Sequence, residues 1–116
     1  MYLEIYLYPV MEENLEQFLK INRAAEQIYK EYGALDSETY TASSIEPEYG
    51  CLGMASAVEL RDSEVLMLEI NRYHHQDHQR QVLEKVDKDE RIENLYDQMT
   101  KVLDMSRTVR GEFKLP

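Results

Sequence analysis

The opening of the chain alternates strictly. Leu3, Ile5 and Leu7 fall on one side of an extended backbone, and Tyr2, Glu4, Tyr6 and Tyr8 on the other. Period two with tyrosine and isoleucine is the pattern of a β-strand, which Pro9 is expected to end. The second side is not plainly polar. Its tyrosines call for a face that is covered too, with room for hydroxyls.

Asn14-Leu15-Glu16-Gln17 then reads as a helix start, with Asn14 as the cap and Gln17 at the capping-box position. Leu15, Phe18, Ala25, Tyr29 and Tyr32 recur at helical spacing, and Gly33 stands where a left-handed cap belongs. Leu35 to Ala42 is a weaker strand. The stretch from Ser43 to Gly53 holds Pro47, Gly50 and Gly53 and reads as a loop. Met54 to Leu60 looks strand-like and would form a hairpin with Val65 to Tyr73 across the turn at Arg61-Asp62-Ser63-Glu64. Helix resumes near His75, breaks between Asp87 and Arg91 with Asp89 as a cap, and continues through Ile92, Leu95, Tyr96, Met99, Val102 and Leu103. Arg107 to Phe113 alternates once more as a last strand.

This order is that of a ferredoxin-like βαββαβ domain of the α+β class, spanning residues 1–116. It implies a four-stranded or slightly larger antiparallel sheet with its helices on one face. On the expected placement, Leu3, Ile5 and Leu7 face the helices, and Tyr6, Tyr8 and Met67 lie on the bare face. A face so rich in tyrosine and methionine calls for a twin to cover it, hence a homodimer.

Charge narrows the partners. Lys and Arg total 13 against 23 for Asp and Glu, a formal charge of −10, with no basic cluster for nucleic acid or an anionic membrane. No apolar run approaches the length of a bilayer span, and no export signal is visible, so the expected location is the cytoplasm. A single cysteine, Cys51, forbids an intrachain disulfide and reads as an ordinary loop residue. The four glycines make no phosphate loop or dinucleotide fingerprint, so no cofactor is expected.

Several short stretches carry a resemblance. They are Tyr2 to Val10, Glu31-Tyr-Gly-Ala-Leu35, Tyr73, Asp89-Glu-Arg91 and Arg107-Thr-Val-Arg-Gly-Glu-Phe113. Together they resemble the YbaA-like family, small bacterial proteins of unknown function placed in the dimeric α/β-barrel superfamily. The chain departs from that family at His74-His75, where Pro-Ser is usual, and at Glu90, where Pro is usual. It departs again at Val102 to Ser106 and at Arg110. The resemblance implies the fold and the dimer and assigns no activity.

The candidate chemistry is a pair of acids. Glu4 and Glu69 belong to strands that neighbour one another in this order, and they are expected to converge beside Tyr6, Tyr8 and Met67, with Arg110 adjacent. Two carboxylates in a dry cleft split their pKa values, so Glu4 and Glu69 are the candidate catalytic groups for cofactor-free proton or oxygen chemistry. Tyr6, Tyr8, Met67 and Arg110 would then bind a small, partly apolar ligand in a cavity on the sheet. The alternative is a salt-bridge network in a non-catalytic structural or regulatory dimer. His74, His75 and His78 have spacing that would suit a metal, but a first helical turn disfavours a cation, so no metal is expected there.

Overall fold

The alternating segment at the N-terminus becomes a central strand, β1 (Tyr2–Met11), in a computed structural model that describes residues 1–116. It is followed by α1 (Leu15–Glu31), β2 (Asp36–Thr41), a short α2 (Met54–Ala57), β3 (Glu64–Tyr73), α3 (Gln76–Val86), α4 (Glu90–Val102) and β4 (Val109–Lys114). The strands form one antiparallel sheet in the order β2-β3-β1-β4, with the helices on one side. This is the expected α+β, ferredoxin-like architecture. No helix is long and apolar enough to cross a membrane.

The faces of the sheet are the reverse of expectation. The Tyr8 ring meets Phe18 of α1 edge-on at 5.1 Å, and Gln79 of α3 donates to Glu4 at 3.1 Å. The side carrying Tyr2, Glu4, Tyr6 and Tyr8 therefore lies beneath the helices. Met67 pairs with Tyr8 in register and is 1% exposed. Leu3, Ile5 and Leu7 face away, with Leu68 and Ile70 opposite Leu7 and Ile5. Tyr40, Val109 and Phe113 extend this side onto the edge strands. The placement of Tyr6, Tyr8 and Met67 on a bare face is thus corrected. Polar satisfaction explains the choice. The helices bring Gln79 down to Glu4 and Asn22 down beside Glu69, the two acids of the sheet.

Three local readings are also revised. Met54–Ala57 is helical rather than a strand, because β2 already holds the seat beside β3 and Met-Ala-Ser-Ala suits a helix. β1 runs through Pro9 to Met11. β4 stops pairing at Leu7, so the strand beyond is an edge, where proline is tolerated. Asn14 makes no side-chain cap and instead donates to the Val102 carbonyl at 3.1 Å, tying the start of α1 to the end of α4.

Gly33 has φ +111° and closes α1 in the left-handed region. Two groups of buried side chains join helices to sheet. Val10, Phe18, Ile21, Met67 and Met99 form one, and Tyr2, Ala34, Tyr73, Val82 and Val86 the other.

Candidate functional site

Polar side chains of the covered face meet between these two apolar clusters. Alternation along β1 and β3 sets Glu4 opposite Asn71, and Tyr6 opposite Glu69. The Asn71 amide nitrogen donates to both acids, at 3.0 Å to Glu4 and 2.8 Å to Glu69. Sharing one nitrogen holds the two carboxylates well within a screening length of about 8 Å. Their environments nevertheless differ.

Glu4 is 1% exposed and fully partnered. Arg110 of β4 approaches it at 2.7 Å and Gln79 at 3.1 Å. The same guanidinium donates to Tyr6 Oη at 3.1 Å, lies 5.5 Å from the Tyr6 ring centre, and reaches Glu112 at 2.6 Å. Hydrogen bonding to Tyr6, Glu112 and Glu4 raises the Arg110 pKa further, so it remains a cation.

Glu69 is 5% exposed and has no cation. It accepts from Asn71 and, at 3.2 Å, from Tyr8 Oη. Burial pushes its carboxyl up to about 7, opposed by the bonds from Asn71 and Tyr8 and reinforced by the charge of Glu4. The principal cause is thus desolvation rather than acid–acid repulsion. Burial likewise drives Tyr6 up to about 12 and Tyr8 well above its ordinary value. These hydroxyls stay protonated as donors.

A cavity of about 180 Å³ opens beside Glu69. β1 contributes Tyr6 and Tyr8, α1 contributes Ile21, Asn22, Ala25 and Tyr29, and α4 contributes Ile92, Leu95, Tyr96 and Met99. Its walls are apolar and aromatic, and Glu69 is its one ionisable carboxyl. Of the residues singled out in the sequence, Glu69, Tyr6 and Tyr8 line it. Glu4 and Arg110 stand behind Tyr6 in the hydrogen-bond network, and Met67 is packing within the core. Asn71 was legible as the next same-side residue after Glu69. Gln79 and Asn22 carried no signal, because their role depends on how α3 and α1 dock. The Tyr73 hydroxyl is buried without a partner.

A wider groove of about 610 Å³ lies between the end of β1 and the turn after α4. Arg107 grips Glu64 there at 2.5 and 2.9 Å and Asp104 accepts from Ser106, while the Arg61 and Lys101 side chains line it without an ion pair.

The histidines build a junction. His78 Nδ1 accepts the His74 backbone N–H at 2.9 Å, and Nε2 lies 3.0 Å from the Gly33 carbonyl, so Nε2 carries the proton. His75 Nδ1 accepts the His78 N–H at 3.1 Å and caps α3. Cys51 is exposed.

Comparison with known proteins adds a family and a fold. A family model described as "Protein of unknown function (DUF1428)" matches residues 1–105. No curated protein matches significantly. An uncharacterised NIPSNAP domain protein from Burkholderia xenovorans is similar in structure, with TM-score 0.60 and 14% identity over 100% of this chain and 95% of that one. Protein Atu4242 from Agrobacterium tumefaciens is similar at TM-score 0.60 and 14% identity, covering 100% and 94% of the two chains. A NIPSNAP family protein, Atu5224, from the same organism gives TM-score 0.54 and 13% identity over 99% and 92%. At these identities the likeness is one of fold.

Proposed function

The chain belongs to the DUF1428 family, and from that premise we propose that it binds a small, largely apolar molecule in the cavity between sheet and helices, with Glu69 meeting the ligand's polar atom. Within the family we place it with the YbaA-like proteins, on the motifs quoted above. One observation carries the binding reading. A carboxyl that is 5% exposed and free of any cation lines a cavity whose remaining wall, Asn22 apart, is apolar and aromatic. An engineered cavity of about 150 Å³ in another protein holds benzene. The 180 Å³ here suits one ring with a short substituent. A carboxyl near pH 7 exchanges a proton with a bound ligand at little cost, which is the property a cofactor-free acid or base needs.

Titration with benzyl alcohol, followed by methyl NMR of Ile21, Leu95 and Met99, tests the site. Saturable shifts at these residues are expected, and Ala25→Phe, which fills the cavity from α1, should abolish them. A probe that leaves those methyls unmoved at millimolar concentration removes the reading.

The uncovered face supports a second proposal, that two copies pair through their sheets. Leu3, Ile5, Leu7, Leu68 and Ile70 form its centre, flanked by Tyr40, Val109 and Phe113, which are 46%, 47% and 56% exposed. A contiguous apolar sheet face of this kind is rarely left in water. The homodimer therefore rests on the aliphatic side of β1 and β3, opposite to the side first expected. Were ligand binding to fail, this structural dimer would be the remaining reading.

A further inference from the structure

Charge around the cavity is unbalanced, and the imbalance bears on what the cavity takes. Arg110, the one guanidinium nearby, contacts Glu4 and Glu112, and Glu69 has no cation of its own. No lysine, arginine or histidine lines the cavity. An anionic ligand would therefore meet a carboxylate with no counter-charge, and its burial would be unfavourable. Glu69 receives hydrogen bonds from Asn71 and Tyr8, with the Asn22 amide also beside it, against the four or so that an ionised carboxylate accepts. Its unused lone pairs call for donors.

The aromatic walls point the same way. Tyr6 and Tyr8 stack at 5.7 Å with an interplanar angle of 8°, and Tyr29 and Tyr96 join them around the cavity. Tyrosine faces attract cations, and within this cluster the Tyr6 ring already has the Arg110 guanidinium 5.5 Å from its centre. Resting on the binding reading above, we propose that the ligand is a single-ring organic amine, bound as its ammonium ion. Its N–H groups donate to Glu69, and its ring lies among Ile21, Leu95 and Met99.

This assignment supplies the missing cation, fills the open acceptor sites and respects the volume. A neutral alcohol or carbonyl compound would match the walls but leave the charge unbalanced. The other titratable groups near Glu69 are Glu4, Tyr6 and Tyr8 on β1, Tyr29 on α1, Tyr73 on β3 and Arg110 on β4. The tyrosines keep their protons and Arg110 its charge, which leaves Glu69 as the group whose charge answers to pH near neutrality.

The test compares benzylamine, benzyl alcohol and benzoate by calorimetry on the full chain. Benzylamine is expected to bind at least tenfold more tightly than benzyl alcohol at about pH 8, and benzoate not at all. Glu69→Gln should erase the preference, bringing benzylamine affinity down to that of benzyl alcohol or below. Should that variant fail to fold, the wild-type pH profile serves instead. Benzylamine affinity should fall as pH drops through 7 and Glu69 takes up a proton, while benzyl alcohol affinity stays level. An alkylammonium, like lysine with its pKa of about 10.4, stays charged throughout this range. If benzyl alcohol or benzoate binds as tightly as benzylamine, or benzylamine affinity ignores both Glu69 and pH, the amine assignment is overturned while the cavity reading stands. If none of the three binds, both fall.

Discussion

Glu4 and Glu69 differ in fate although they share the amide of Asn71. The difference lies in what β4 reaches. Arg110 extends over Tyr6 to Glu4 and stops there, so Glu69 is left to neutral donors. Its stability linkage follows directly. The carboxyl titrates near 7 when folded and near its ordinary 4.5 when unfolded. Below the unfolded value both states hold the proton and burial is uncharged. As pH rises toward 7 the unfolded chain releases its proton first, so folding weakens, by about 3 kcal/mol in all. Glu69→Gln should remove this dependence. Chemical denaturation of both proteins from about pH 5 to about pH 8 should show the variant gaining on wild type across that range. A constant difference would mean that Glu69 is solvated. The convergence of these acids was readable from alternation and strand order, since both rest on local residue spacing. The asymmetry between them was not, because Asn22, Gln79 and Arg110 reach the acids only after three separate elements have docked.

Among the elements, the long ones follow their periodicity and the short ones follow their neighbours. α1, with its stripe from Leu15 to Tyr29, and β3, with its alternation, form from patterns many residues long. Met54–Ala57 had no such pattern, and its conformation is decided by packing. A Cβ on Gly53 would lie 2.5 Å from the Ile45 carbonyl oxygen and 2.8 Å from the Pro47 nitrogen, so the loop folds onto bare glycine backbone just before the helix. Both obstacles are main chain and cannot swing aside. Gly53→Ala should therefore cost about 1–3 kcal/mol, with the change centred on the segment before β3. Thermal melts and amide exchange of Ala55 and Val58 would show it, and an unchanged melting temperature would mean that the contact is loose. Asp89 illustrates a local signal that did suffice. It caps α4 through the Arg91 N–H at 2.8 Å and accepts from Tyr32 Oη at 2.7 Å, which ties α4 to the end of α1. Asp89→Ala should lower stability by about 1 kcal/mol.

At the scale of the whole molecule, the order of elements was enough for the topology but not for which face of the sheet the helices cover. Alternation divides the side chains of β1 into two sets without saying which set points inward, and exchanging the sets moves every side chain at once. Hydropathy favours the aliphatic set for the interior. The structure buries the tyrosine and glutamate set instead, because the helices carry its polar partners, and this leaves Leu3, Ile5, Leu7, Leu68 and Ile70 for another surface. Adjacent residues of β3 separate the two assignments. Met67 is 1% exposed beneath the helices, whereas Leu68 faces the uncovered side. Met67→Glu would bury an unpaired charge in the core and should unfold the protein, at a cost of about 4 kcal/mol or more. Leu68→Glu places its charge where a twin would sit, so it should leave the protomer folded and drive a dimer apart. Sedimentation at micromolar concentration, read beside circular dichroism, distinguishes these outcomes. Wild type should sediment as a dimer, Leu68→Glu as a folded monomer, and Met67→Glu should lose its structure. A wild-type monomer would end the pairing proposal, and a folded, monomeric Met67→Glu would restore the opposite face as the interface.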